Sequence, residues 1–326
     1  MGIPISPISQ NTTVKPVRIH PAFDDREAVR ALFYANERYE AAAAYLPDGS
    51  EDAGAPLLAH NVLPWFRATW ALGGQPRSKG VAPILYNRRF IDAAQTLFNS
   101  PRIVPKIVVV NVNTPMAAGV IHVDVPSFRG ATRETLSQRL LIAMGASGLF
   151  EEWRVIEASA ISWFYDGPGG AFDYWPDGPT GLMLSERSPF GNVAIIGSND
   201  RMYHRIGRVG EPSAVPPRIS AVAEIRPGSG GHWSIYENGE RRACYSPGAV
   251  RLSVLWKADV HVDDQRGARA GSLSPERIIE VMQGDMRRKG VAMALPTNPL
   301  TNTEWIALAC RTYTRSNTAI VSLNHE

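Results

Sequence analysis

Cysteine is nearly missing from this chain: Cys244 and Cys310 are the only two in 326 residues. Neither stands at a spacing that builds a disulfide framework or a thiolate metal site, so a stapled extracellular scaffold is excluded and a reducing compartment is expected. Long apolar runs are missing too. No stretch approaches the roughly 18 residues of a membrane helix. The first seven residues, MGIPISP, lack the charged head and apolar core of a secretion signal. The myristoylation-like start with Ser6 is spoiled by Pro4 and by the want of a basic patch. A cytoplasmic location without a membrane partner is expected. Charge of one sign is equally scarce: 34 Lys and Arg against 31 Asp and Glu leave a formal +3, scattered along the chain. No basic stripe is available to track a phosphate backbone, which argues against nucleic acid as a partner.

Apolar residues make up 44% of the sequence, enough for a large core. The first hundred residues read as mostly helical. Residues 24–45 carry acidic groups at the start and strong helix formers throughout. Residues 90–98 place Phe90, Ile91, Ala94, Leu97 and Phe98 at helical spacing. From about Arg102 the texture changes to short β-rich runs between turn residues, at 103–111, 158–165, 181–185, 192–197, 218–225, 233–236 and 250–262. Helical character returns at 132–144, and at 274–288 behind Ser274 as N-cap and Pro275 as first helical residue. The expected architecture is mainly β with flanking helices, a sandwich, barrel or jelly roll. It divides into a helical support region over 1–101, a β core over 102–265 and a helical extension over 266–326, integrated as one domain. The extension is a candidate homodimer contact.

The chemistry concentrates in a few residues. His122 and Asp124 end a β-like run, and residues i and i+2 of a strand project to one face, so both can hold one ion from a rigid edge. A distant His204 completes a 2-His-1-carboxylate set, which leaves coordination positions open and marks non-heme Fe(II) oxygenases. With 7 histidines and 31 acidic residues, chance alone supplies about one His-x-acid match. His261 and Asp263 form such a twin. Only His325 follows the twin, whereas the first pair is followed by His204, the strand-like stretch before it and Arg218 after it. Context therefore selects His122 and Asp124.

In this order of residues the chain resembles the Fe(II)- and 2-oxoglutarate-dependent dioxygenases of the double-stranded β-helix (jelly-roll, cupin-like) fold, in the style of the phytanoyl-CoA dioxygenase-like and prolyl-hydroxylase-like branches. The resemblance covers roughly 107–262. It implies Fe(II) on His122, Asp124 and His204, with 2-oxoglutarate and O2 completing the reaction. It also implies that Arg218 and Ser220, an Arg-x-Ser pair, grip the far carboxylate of 2-oxoglutarate; Asn111 and Asn113 are candidate hydrogen-bond donors to the same molecule. Arg251-Leu-Ser253 repeats that pattern but is set aside, because the whole stretch 205–250 separates it from His204. The implied activity is conversion of 2-oxoglutarate to succinate and CO2, coupled to hydroxylation, desaturation or cyclisation at an unactivated C–H bond of a small molecule. The carboxylate of Asp124 argues against halogenation, which uses a small residue at that place.

Phe128, Arg129, Trp163, Tyr165 and Trp175 are the candidate substrate pocket. Trp175 belongs to the turn-rich, aromatic loop 166–179, which reads either as a lid or as a hairpin packed on the barrel. Two other readings stay open: a cupin-like metalloenzyme that uses no 2-oxoglutarate, and a non-enzymatic ligand-binding β-sandwich with structural histidines.

Overall fold

A computed structural model describes residues 14–45, 62–261, 271–291 and 293–321. In chain order its elements begin with β1 (Val17–Ile19), α1 (Arg26–Ala35), β2 (Tyr39–Ala41), β3 (Trp65–Leu72), β4 (Gln75–Pro76), α2 (Ala82–Leu85) and α3 (Arg88–Phe98). Next come β5 (Arg102–Asn113), α4 (Gln138–Ser147), β6 (Ile156–Phe164), β7 (Phe172–Trp175), β8 (Leu184–Glu186), β9 (Ala194–Gly197) and β10 (Tyr203–Ile206). The chain ends with β11 (Glu224–Pro227), β12 (Trp233–Glu237), β13 (Glu240–Tyr245), β14 (Arg251–His261), α5 (Pro275–Arg288) and α6 (Thr303–Val321).

The strands form two antiparallel sheets, and between β5 and β14 the chain crosses repeatedly from one to the other. The large sheet runs β1-β9-β6-β14-β5-β3-β2-β11-β12-β13, with β4 beside β3, and the small one runs β10-β7-β8. Residues 116–122 add a further edge to the small sheet through bridges from Met116 to Val209 and from His122 to His204. The chain thus passes from β5 to this edge, back to β6, across to β7 and β8, back to β9, across to β10, and returns on β14. That alternation is the double-stranded β-helix expected from the sequence. Its two halves meet through aromatic side chains, with Trp163 of β6 5.3 Å from Phe172 of β7 between ring centroids.

The central strands β5, β6 and β14 are two-faced for a simple reason of period. Val108, Val110 and Val112, with Leu252, Val254, Trp256, Ala258 and Val260, turn outward and bury against α1 and α3 through Phe33 and Phe90. Trp256 anchors this layer, its Nε1 donating to the Leu85 carbonyl at 2.7 Å. The alternate positions, Asn111, Asn113, Arg251, Ser253 and Lys257, turn into the barrel and are buried as well. A separate helical layer of α4, α5 and α6 packs around Leu140, Met144, Met282 and Trp305.

Local signals place most helix starts. Ser274 caps α5 by accepting from Arg277 N, Ser137 caps α4, and Asn87 caps α3. Three expectations need revision. The helix expected over 24–45 ends at Ala35, because Tyr39–Ala41 instead pairs with β3 and β11, and strand pairing overrides the propensity of the alanines. Among the described residues before 101 the chain is not mostly helical, since β1 to β4 lie there and join the large sheet. The strand expected over 218–225 shrinks to its end, as only Glu224–Pro227 forms β11.

Candidate metal centre

A single antiparallel bridge brings the two histidines together. His122 N donates to His204 O at 3.0 Å and His204 N donates to His122 O at 2.9 Å. Each ring is then oriented by its own chain. His122 Nδ1 lies 2.9 Å from the Val120 carbonyl and His204 Nδ1 lies 2.9 Å from the Met202 carbonyl. A carbonyl only accepts, so both rings carry their proton on Nδ1 and leave the Nε2 lone pair for an ion. Asp124 is fixed by its backbone N–H on the Asn199 carbonyl at 2.8 Å. Its Oδ1 is 3.7 Å from His204 Nε2. One donor atom from each of His122, Asp124 and His204 falls within 4.8 Å of the others. Metal–ligand bonds of roughly 2 Å span that arrangement with small side-chain rotations.

The charge states suit a divalent cation. Burial, and then His122 beside it, push the His204 imidazole down to about 4 against the attraction of Asp124, so it is neutral near pH 7. Burial would raise the Asp124 carboxyl, but the Lys257 ammonium and then His204 outweigh it and hold the group well below the usual carboxylate range. Lys257 Nζ stands 2.6 Å from Asp124 Oδ2 and 3.5 Å from Glu157 Oε2. A neutral His204 imidazole and an ionised Asp124 carboxylate, beside the His122 ring, are a donor set that fits a non-heme iron site.

Further along the barrel interior lies Arg251, only 1% exposed. Its Nε donates to the Gly170 carbonyl at 2.7 Å, and its Nη1 reaches Asn113 Oδ1 at 3.4 Å. Among the described residues no carboxylate pairs with it. Burial alone pushes this guanidinium down to about 9, which still leaves it charged at neutral pH. A buried cation without a counter-charge is costly, and an anion held beside it would offset that cost. A line of rings joins it to the triad. Phe172 is 5.6 Å from His204 and 5.3 Å from Trp163, Trp163 is 4.9 Å from Phe190, and Arg251 lies 5.8 Å over Phe190. The Trp163 indole N–H is buried without a partner beside this path.

The structure therefore gathers His122, Asp124 and His204, and places Asn113 and Trp163 deeper in the same interior. It does not bring Arg218 there. Arg218 is exposed on an irregular segment, and Ser220 spends both its N–H and its hydroxyl on Glu237 Oε1 at 2.8 and 2.6 Å. The physical reason is an excursion: β11, β12 and β13 extend the far end of the large sheet, so the strand that returns to the barrel after His204 is β14, carrying Arg251.

The pocket expectations divide similarly. Phe128 is in the helical layer, 6.1 Å from Phe150. Arg129 donates to the carbonyls of Glu152 and Gly271. Tyr165 donates to the Pro168 carbonyl at 2.7 Å beside Gly170. Trp175 pairs with Tyr203 in the register that pairs Tyr174 with His204, so it faces away from the triad, and Arg205 covers its ring. Loop 166–179 is thus a packed hairpin strand, with Phe172, Tyr174 and Trp175 all buried.

Lys257 and Glu157 were not expected from the sequence, and Arg251, set aside there in favour of Arg218, is the arginine that the fold brings inside. The signal for Arg251 and Lys257 was a partial alternation over 251–260, polar at Arg251, Ser253, Lys257 and Asp259 and broken by Leu255, in a strand that also buries Arg251, Ser253 and Lys257.

No protein-family model matches the sequence, and no curated protein matches it. Among solved structures, the chain is similar to an oxidoreductase of the 2OG-Fe(II) oxygenase family from Burkholderia pseudomallei, at 12% identity and TM-score 0.39 over 77% of this chain and 87% of that one. It is similar to a Pseudomonas putida prolyl-4-hydroxylase at 13% identity and TM-score 0.37, covering 77% and 94%. It is also similar to HygX from Streptomyces hygroscopicus, solved with nickel, 2-oxoglutarate and hygromycin B, at 10% identity and TM-score 0.37 over 76% and 84%.

Proposed function

We propose that this protein is a non-heme Fe(II)- and 2-oxoglutarate-dependent oxygenase that oxidises, most simply by hydroxylation, a C–H bond of a small molecule. One observation carries the reading: a 2-His-1-carboxylate cluster and a buried guanidinium without a counter-charge share one barrel interior. His122, Asp124 and His204 would hold the iron, which supplies oxygen activation when bound. Arg251, supported by Asn113, would take the far carboxylate of 2-oxoglutarate in a charge-assisted pair that fixes orientation as well as affinity. Phe172, Trp163 and Phe190 would exclude water along the path between them. The chain's own task is placement, because the cofactor carries the difficult step.

Anaerobic addition of Fe(II) and 2-oxoglutarate to the purified protein tests this. A weak visible charge-transfer band should form and should vanish in His204→Ala, and a substrate library should reveal compounds that release succinate. Metal binding without any effect of 2-oxoglutarate would instead favour a cupin-like enzyme. Failure to bind any divalent metal would leave a ligand-binding barrel.

A further inference from the structure

We propose that Lys257 is a positioning residue for the metal centre: its ammonium occupies Oδ2 of Asp124, so that the carboxylate offers Oδ1 alone to an ion shared with His122 and His204. The proposal rests on the metal reading above. Its geometry is explicit. Oδ1 is the oxygen turned toward His204, at 3.7 Å from Nε2, and Oδ2 is the oxygen that Lys257 meets at 2.6 Å. The Lys257 side chain is 7% exposed and that of Asp124 15%, so water competes little for either.

The strand pattern explains why a lysine stands there. Lys257 lies on the inward face of β14, opposite Ser159 of β6 and Ile107 of β5. Just beyond it the pairing with β5 slips, from Lys257 on Ile107 to Ala258 on Pro105, which leaves Lys106 as the extra residue of a bulge. Lys106 Nζ then reaches Glu157 Oε1 at 3.4 Å and Asp259 Oδ1 at 3.1 Å. The result is a chain of alternating charge, Asp124, Lys257, Glu157, Lys106 and Asp259, buried at its centre and half-buried at its ends. Glu157 is further held by the Ser127 hydroxyl at 3.3 Å. Lys257 is thus shared between two carboxylates, one a metal ligand and the other not.

Two consequences follow for an ion bound at the triad. A carboxylate with a free second oxygen can chelate through both and take one of the three open positions, leaving too few for a bidentate cosubstrate and a further ligand. An ammonium against the carboxylate prevents that, and it also weakens cation binding by direct repulsion. Removing Lys257 should therefore tighten metal binding while impairing the cosubstrate. Removing the charge of Glu157 should do the reverse to the metal, because Lys257 then leans wholly on Asp124.

Co(II) titration of the metal-free protein, followed by 2-oxoglutarate titration, reads both effects through the visible d–d bands. In Lys257→Met, which keeps the stem and loses the charge, Co(II) affinity should rise about fivefold and 2-oxoglutarate affinity fall about tenfold, with altered bands. Lys257→Arg should restore the native bands. In Glu157→Gln, Co(II) affinity should fall about threefold. Opposite signs distinguish positioning from structural damage, which would weaken both variants. Unchanged affinities and bands in Lys257→Met, or weakened metal binding in both variants, overturns the proposal. Should Lys257→Met fail to fold, an unchanged Co(II) affinity in Glu157→Gln overturns it. Failure of the wild-type protein to bind Co(II) removes the metal reading itself and is recognised by that result alone.

Discussion

Arg251 reaches the inside of the barrel because residue 170 has no side chain. Its Nε donates to the Gly170 carbonyl at 2.7 Å, and a Cβ on Gly170 would stand 3.0 Å from Arg251 Cδ and 2.8 Å from the Tyr165 ring. Gly170 also adopts φ +69°, in the left-handed region that suits glycine. The guanidinium is thereby fixed with its remaining donors toward Asn113 and the interior. Substituting Arg251→Gln should leave metal binding intact and weaken 2-oxoglutarate binding by about 1.5–3 kcal/mol, the range of charge-assisted bonds. Calorimetric titration of the metal-loaded protein measures it, and an unchanged affinity would remove Arg251 from the site.

Arg218 provides the contrast. It is exposed and lies off both sheets, so Arg218→Ala should change 2-oxoglutarate affinity and succinate release by less than about twofold, as expected for a surface change of under 0.5 kcal/mol. A loss comparable to that of Arg251→Gln would mean that the segment 207–223 folds over the barrel mouth.

These two arginines mark where the sequence could be read and where it could not. His122, Asp124 and His204 were legible because the requirement on them is local: two residues on one strand edge, and a histidine on a later strand. The β-rich run 250–262 likewise revealed a strand, and the Ser274 and Pro275 pair fixed the start of α5 to the residue. Choosing between Arg218 and Arg251 was a different problem, because it required knowing which strand neighbours β5 and β6 in space. Separation along the chain misleads when a hairpin such as β12 and β13 is inserted at the far end of the sheet. Ala42, Ala43 and Ala44 misled in the same way, since the edge that captures Tyr39–Ala41 is built by β3 and β11, which lie later in the chain.

Behind the triad, the loop that holds Asp124 is itself held by an ion pair. Arg154 donates from Nε and Nη2 to Asp200 Oδ2 at 3.1 and 3.0 Å, and from Nη2 to the Asp200 carbonyl at 2.8 Å. Asp200 follows Asn199, whose carbonyl receives the Asp124 N–H. With side chains 7% and 2% exposed, the pair is effectively out of water. Removing one partner of a buried pair strands the other, so Arg154→Ala should cost about 3–5 kcal/mol in denaturant unfolding. The charge-neutral pair Arg154→Met with Asp200→Leu should recover much of that loss. A cost below about 1 kcal/mol, typical of an exposed pair, would show that the loop has another anchor.

The metal-free protein should lose stability on mild acidification, through His204. Its imidazole titrates near 6.5 in an unfolded chain and at about 4 in the folded one. Between those values the unfolded chain binds a proton that the folded chain refuses, so unfolding becomes easier as pH falls from about 6.5 to about 4. One proton sets a slope of at most about 1.4 kcal/mol per pH unit over that window, and below it this group adds nothing more. Asp124 contributes with the same sign but at lower pH, since its folded value lies below its ordinary 3.8 and its share is lost only as the unfolded carboxylate takes up a proton. Guanidinium unfolding of chelator-treated protein at several pH values reads the slope. In His204→Gln, which keeps a polar side chain and cannot titrate, the part of the slope above pH 4 due to His204 should disappear. A wild-type slope that survives this substitution would assign the acid sensitivity to other groups and place the His204 titration near its ordinary value.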